Sequence, residues 1–173
     1  MSNYRTKTYI AGDWDADKDA VDKLHEWNNS KYWSLSFSDA HDLTSSRDST
    51  LNCNIKVSLK KRMDASKTFV LIVGEHTNNV TAGSCSWCGS YNSYTSHCAK
   101  GYSIDNRSYI KYECEKAIEA GIKIIVLYKC NKVDRNKCPE IVRWKGRHSA
   151  MTYIATDAKE YWDYNAVYDA LNS

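Results

Sequence analysis

Residues 107–128 read RSYIKYECEKAIEAGIKIIVLY, a helical pattern running straight into an unbroken aliphatic run. A short run of Ile, Val and Leu bounded by glycine marks a strand covered on both faces, so this stretch predicts the helix-to-strand unit of a parallel α/β sheet. At about 100° per residue, Ile110, Cys114, Ala117 and Gly121 share a narrow apolar row, and Glu113 falls roughly 60° to one side, near Tyr109 and Lys116. Glu115 and Glu119 lie on the opposite, solvated side. Glu113 alone of the three can be half-buried where helix meets sheet, and its early position in the helix favours the ionised form. Two readings stay open: an edge carboxylate paired with a lysine, or a group lining a cleft.

The same alternation extends in both directions. KTYIAG (7–12) reads as a short strand ending in a Gly-Asp turn, and the following DKDAVDKLHEWNN places Ala20, Val21, Leu24 and Trp27 on one stripe with Asp17 as N-cap. WSLSFS (33–38) alternates as a half-buried strand does. LNCNIKVSLKKRM repeats Leu51, Ile55, Leu59 and Met63 at intervals of four, with Lys56, Lys60, Lys61 and Arg62 off that row, which predicts a surface helix with one buried stripe. TFVLIVG (68–74) is a second doubly covered strand, AMTYIA (150–155) a weaker one, and KEYWDYNAVYDALN (159–172) a terminal helix anchored by Trp162, Val167 and Leu171. Five strands separated by helices predict a five-stranded parallel sheet with helices on both faces, in one domain spanning 1–173.

Composition narrows the class. The net charge of +3 comes from 24 Lys and Arg set among 21 Asp and Glu, so no basic footprint for nucleic acid stands out. No run of about 18 apolar residues and no secretory pattern occurs, which predicts a cytoplasmic protein that neither enters nor binds a membrane. Thirteen tyrosines and six tryptophans suit core edges and also pockets that stack flat ligands.

Residues 74–107, rich in Ser, Asn, Gly, Tyr and Cys, break the rhythm after the third predicted strand. Long aperiodic loops inside compact domains tend to be lids, binding loops or metal-stapled insertions. In parallel sheets ligands settle beyond the carboxyl ends of the strands, so this loop and the turn at Gly12-Asp13-Trp14 should border one crevice. Within the loop, CSWCGSYNSYTSHC offers Cys85, Cys88, His97 and Cys98 as a possible zinc set, although no second C-x-x-C completes the pattern; ordinary reduced thiols or a redox disulfide are the other readings. His76 also sits near the crevice, or satisfies a backbone group.

Taken in order, TYIAGDWDAD, WSLSFSDAH, SLKKRMDASKTFVLIVGEHT and SYIKYECEKAIEAGIKIIVLY resemble the TIR-like family of bacterial immunity proteins, particularly the signal-generating subunits of Thoeris anti-phage systems. The resemblance implies a flavodoxin-like sheet with a glutamate on the helix after the third strand, here carried by Ser108, Tyr109, Ile110 and Glu113 in SYIKYE. It also implies NAD⁺ as substrate with no further cofactor, nicotinamide release, a cyclic ADP-ribose-type product, other TIR-like protomers as partners, and a separate effector that senses the nucleotide. Tyr109 stands where many TIR domains have Trp, Ile110 where Cys is familiar, and the first strand lacks the usual Ser-aromatic pair. Asp13 and Trp14 end that strand and are candidates for contact with the nicotinamide ribose, or else form a capping turn with a packed indole. Ser38 is a weaker candidate of the same kind at the end of the second predicted strand, and Arg47 in the following loop is either a candidate for the diphosphate or a solvated loop arginine. A non-catalytic TIR-like adaptor and a nucleoside deoxyribosyltransferase-like enzyme are the other classes compatible with this pattern.

Overall fold

The computed structural model describes residues 4–43 and 51–173. Strands β1 (Lys7–Ala11), β2 (Ser66–Val73), β5 (Lys123–Tyr128) and β6 (Arg147–Ala150) form one parallel sheet in the order β1-β2-β5-β6. Two short antiparallel hairpins stand apart from it, β3 (Tyr91–Asn92) with β4 (His97–Cys98), and β7 (Thr152–Ile154) with β8 (Glu160–Trp162). The helices are α1 (Lys18–Asn29), α2 (Asn52–Asp64), α3 (Tyr109–Glu119) and α4 (Tyr164–Asn172).

Strand alternation sorts the core into two layers. Tyr9, Phe69, Leu71, Ile124 and Val126 face α2 and α3, where they meet Leu59, Met63, Ile110, Cys114 and Ala117. Ile10, Val70, Ile72, Ile125 and Leu127 face the other way and pack on Ala20, Val21, Leu24 and Trp27 of α1 and on Val167 and Ala170 of α4. Both faces are thus covered by helices, as the continuous aliphatic runs require. Among the described residues no helix is long and apolar enough to cross a membrane.

The parallel sheet has four strands among the described residues, not five. WSLSFS reaches the edge of β1 yet makes a single bridge, Thr8 with Asp39, and its Ser38 carbonyl accepts the Thr8 N–H at 2.8 Å. Two features stop it from pairing further. Ser36 takes φ +56°, which breaks an extended run. The Asn28 side chain then claims both backbone groups of Phe37, donating to its carbonyl and accepting its N–H at 2.9 Å each. Those bonds replace the ladder that a fifth strand would have offered.

Other expectations change as well. AMTYIA divides: Ala150 ends β6, Met151 is buried, and residues 152–154 turn to pair with 160–162. The terminal helix therefore begins at Tyr164, where the Asp163 carboxylate accepts the Ala166 N–H at 3.0 Å. Asp17 stands at the N-cap position of α1 without a side-chain cap bond. Its buried carboxylate packs instead on Gly74, where an added Cβ would lie 2.0 Å from it, and faces Lys129 at 3.6 Å. Segment 74–107 is not without order either, since it holds 3-10 turns at 77–79 and 85–87 and the β3–β4 hairpin.

Helix α2 departs most from its pattern, because Lys56 and Arg62 are buried although they lie off the apolar row. The Lys56 ammonium donates to the carbonyls of Arg107 (2.8 Å) and Asp105 (3.2 Å) and lies 3.3 Å from the Asp105 carboxylate. The segment leading into α3 is laid over this helix, so its carbonyls supply what water otherwise would.

Candidate active site

Beyond the carboxyl ends of β1 and β2, the loops that follow these strands, together with α2 and α3, border a cavity of about 420 Å³. Its polar and aromatic lining comes from Asp13, Trp14, Asp15, His41, Arg62, Tyr109 and Glu113, over an apolar base that includes Leu59 and Ile110.

Glu113 is 6 % exposed, and its Oε1 accepts the hydroxyl proton of Tyr9 at 2.5 Å. Tyr9 is wholly buried on β1, 104 positions away in sequence. Burial raises the Glu113 carboxyl to about 7, while the Tyr9 hydrogen bond and the positive charge of Arg62 pull the other way. Burial and the Glu113 charge push the Tyr9 phenol well above its usual range, so it remains a donor. Loss of water is the largest influence on the ionisation of Glu113, and it opposes the charged form. No lysine partner is needed for this carboxylate, because Tyr9 supplies the bond. Its neighbours behave as surface acids do: Glu115 pairs with Arg107, and Glu119 with Lys116 at 2.5 Å.

One wall is a row of rings. Trp14 meets His41 edge-on at 5.1 Å, and Tyr9, buried behind that wall, has its centroid 5.5 Å from His41. His41 is oriented by Asp39, which accepts from both the imidazole Nδ1 (2.8 Å) and the His41 N–H (2.9 Å), and which also lies 3.1 Å from His25 Nε2. Burial alone would raise the Asp39 carboxyl, but the His41 bonds and the histidine charges outweigh it and hold it low. The opposite wall carries Tyr109. Its hydroxyl donates to Asn52 Oδ1 at 3.0 Å and its N–H to the Ala82 carbonyl at 2.8 Å. Gly83 takes φ +95° directly against that ring, and a Cβ there would come within 2.5 Å of it, so only glycine lets the loop pass. A more open groove of about 590 Å³ shares Val80 and Ile110 with this cavity and extends past Trp87, Lys111 and Glu140.

The structure thus brings together Glu113, Asp13, Trp14 and Tyr109 of the residues singled out from sequence. Asp13 also caps its own turn, accepting the Asp15 N–H at 3.1 Å. Ser38 is not part of the lining; its hydroxyl accepts from Lys7 Nζ at 2.8 Å at the exposed sheet edge. Arg47 lies outside the described residues. His76 is exposed and lines neither space. Of the possible zinc set, Cys85 is buried, Cys88 and Cys98 are half-buried, and His97 is exposed with Nδ1 against the Thr95 carbonyl. Among the described residues no three Cys, His, Asp or Glu side chains are placed to hold a metal ion as the chain stands.

Tyr9, His41 and Arg62 were missed. Arg62 did leave a signal, since it follows Ile55 and Leu59 at +7 and +3 and all three line the cavity. Tyr9 and His41 left none, because their importance comes from groups distant in the chain.

Residues 9–82 match the family model described as the Thoeris protein ThsB, TIR-like domain, which supports the TIR-like resemblance. A search of curated proteins finds no match. The matched span holds the end of β1, then α1, α2, β2 and the cavity residues Asp13, Trp14, His41 and Arg62, whereas Tyr109 and Glu113 lie beyond it.

Proposed function

We propose, from the ThsB-like TIR-like match and from a buried carboxylate opening on a ring-lined cavity, that this protein is a Thoeris-type defence enzyme that cleaves NAD⁺. The observation that carries this reading is the Tyr9-bonded Glu113 at the cavity wall. The scissile bond joins the ribose anomeric carbon to the pyridinium nitrogen. As it breaks, its electron pair neutralises the ring and positive charge develops on the sugar, which a carboxylate within reach stabilises or traps. Nicotinamide departs neutral, so no general acid is required, and one ionised glutamate suffices. Tyr9 and Arg62 both favour that ionised form. Trp14, His41 and Tyr109 supply flat surfaces for the base and keep water from the sugar cation. The cavity suits the nicotinamide riboside half, and the adjoining groove leaves room for the rest of the dinucleotide.

Capture of the cation by water, which gives up a proton, yields ADP-ribose. Capture by another atom of the same molecule yields a cyclic isomer, the form suited to activating a separate nucleotide-sensing effector. Assembly with other TIR-like protomers belongs to the same reading. Mass spectrometry of nucleotides from cells carrying the protein, with and without phage challenge, tests it. A cyclic ADP-ribose isomer appearing on challenge supports the cyclase and ADP-ribose alone the hydrolase; neither, with free nucleosides also unchanged, leaves the adaptor.

Since the reactive form is the carboxylate, nicotinamide release should rise with pH through an apparent pKa of about 7. Tyr9→Phe removes a bond that favours the anion, so its acid limb should move to higher pH. A pH–rate profile of both proteins checks this, and an unmoved limb contradicts the role given to Tyr9. Trp14→Ala, which strips an exposed ring from the wall, should raise KM for NAD⁺ by about tenfold, as loss of one stacking contact costs about 1 kcal/mol or somewhat more.

A further inference from the structure

We propose that Cys53, Cys85, Cys88 and Cys98 form a structural zinc site that fastens segment 74–108 to α2, independently of the reaction proposed above. These four of the seven cysteines line one small hollow of about 10 Å³, alongside Ile104, Tyr91 and Leu51. Such a space is near the size of a single small sphere and too small for an organic ligand. The thiols reach it from three parts of the chain: Cys53 from the first turn of α2, Cys85 and Cys88 from the two ends of a 3-10 turn, and Cys98 from β4. All seven cysteines are free thiols.

Three further observations favour a metal over idle thiols. The Asp105 N–H donates to Cys85 Sγ at 3.2 Å, the kind of bond that stabilises thiolate and accompanies metal-bound sulfur. The Cys85–Cys88 turn closes with the Cys88 N–H on the Cys85 carbonyl at 3.0 Å and leads into the hairpin where Cys98 pairs with Tyr91, so both ends of one compact unit present sulfur to the same hollow. The segment also lacks a core of its own. Between 74 and 108 the buried positions are Gly74, Thr77, Gly83, Ser84 and Cys85, with no large aliphatic or aromatic side chain among them. Ordering some thirty residues costs on the order of 1 kcal/mol each in backbone entropy, and so little apolar burial offsets only a small part of it. A four-sulfur zinc site supplies the missing cross-link.

The fourth ligand is therefore Cys53, not His97. His97 is exposed, engages the Thr95 carbonyl, and alternates with Cys98 along β4 onto the other face. The thiols do not meet at ligand distance as they stand, so binding must turn them into the hollow and release their protons. Its effect would carry to the cavity, because Asn52, beside Cys53, donates to the Ser84 carbonyl at 3.1 Å and holds the Tyr109 hydroxyl.

The test is elemental analysis of the full chain, made in zinc-supplemented medium and purified without chelator, with cobalt titration of the reduced apoprotein. We expect one zinc per chain, at least a tenfold loss of zinc in both Cys53→Ser and Cys98→Ser, and full zinc in His97→Ala. Cobalt should give the intense charge-transfer and visible bands of tetrahedral four-sulfur coordination, a readout on the wild type that needs no variant to fold. Zinc-free wild type with no cobalt bands overturns the proposal. So does retention of zinc in Cys53→Ser together with its loss in His97→Ala.

Discussion

Glu113→Gln should abolish nicotinamide release and at the same time make the protein more stable above neutral pH. The amide keeps the volume of the side chain and can still accept the Tyr9 hydroxyl proton, but it carries no negative charge to place against a developing sugar cation. Loss of the key carboxylate in such chemistry should cost at least a thousandfold in rate. The stability effect has the opposite sign. Folding raises this carboxyl from 4.5 to about 7, mainly by burial. Its contribution is fully favourable below about pH 4.5, where the group is protonated folded or unfolded. It is lost as pH climbs toward 7, and above that the native state bears a buried charge. The cost of that charge is on the order of 3 kcal/mol, and glutamine never incurs it. Denaturation of both proteins between pH 5 and 8 should show a gap that opens toward high pH in favour of the variant. A purely structural carboxylate predicts the reverse, a less stable variant. An active Gln variant, or one destabilised at pH 8, removes Glu113 from the centre of the mechanism.

The second large effect concerns how α3, the helix that carries Glu113, is held. Lys56→Met keeps the aliphatic stem but deletes an ammonium that serves the Asp105 and Arg107 carbonyls and the Asp105 carboxylate. Those carbonyls belong to the turn that launches α3, and hence Tyr109 and Glu113. The Asp105 carboxylate keeps a partner in Arg107, at 2.8 Å and 2.9 Å, which limits the damage. Leaving two carbonyls short of a charged donor should cost about 2–3 kcal/mol, or roughly 4–12 °C in Tm. Tyr112 loses one of the three cations around its ring as well, Lys56 at 5.7 Å beside Arg107 and Lys116. Hydrogen exchange should quicken most over residues 105–109. Lys60→Met, one turn along, deletes only an exposed pair with Asp64 at 2.7 Å and should change stability by less than about 0.5 kcal/mol. Equal effects from the two substitutions would refute the anchoring role of Lys56.

These two lysines show where a sequence stops informing. In the helical pattern of α2, Lys56 and Lys60 occupy equivalent off-stripe positions, and nothing local separates them. One is buried because a segment fifty residues later crosses it. Arg62 could have been recognised from its spacing to Ile55 and Leu59, yet charge argued for solvent. WSLSFS had the alternation of a strand, but the Asn28 amide of the preceding helix holds both backbone groups of Phe37, so the segment meets β1 through a single bridge.

What the sequence by itself determined is the part governed by short-range periodicity: the aliphatic runs of β2 and β5, buried on both faces, the apolar stripes of α1 and α3, and the singling out of Glu113 from Glu115 and Glu119. Those follow from the angular repeat of helix and strand, which any window of ten residues displays. Only the tertiary structure decided that Glu113 meets Tyr9, that His41 and Arg62 share its cavity, and that Cys53 joins the loop thiols. Desolvation and hydrogen bonding between groups distant in the chain depend on which surfaces the fold presses together, and no local pattern encodes that.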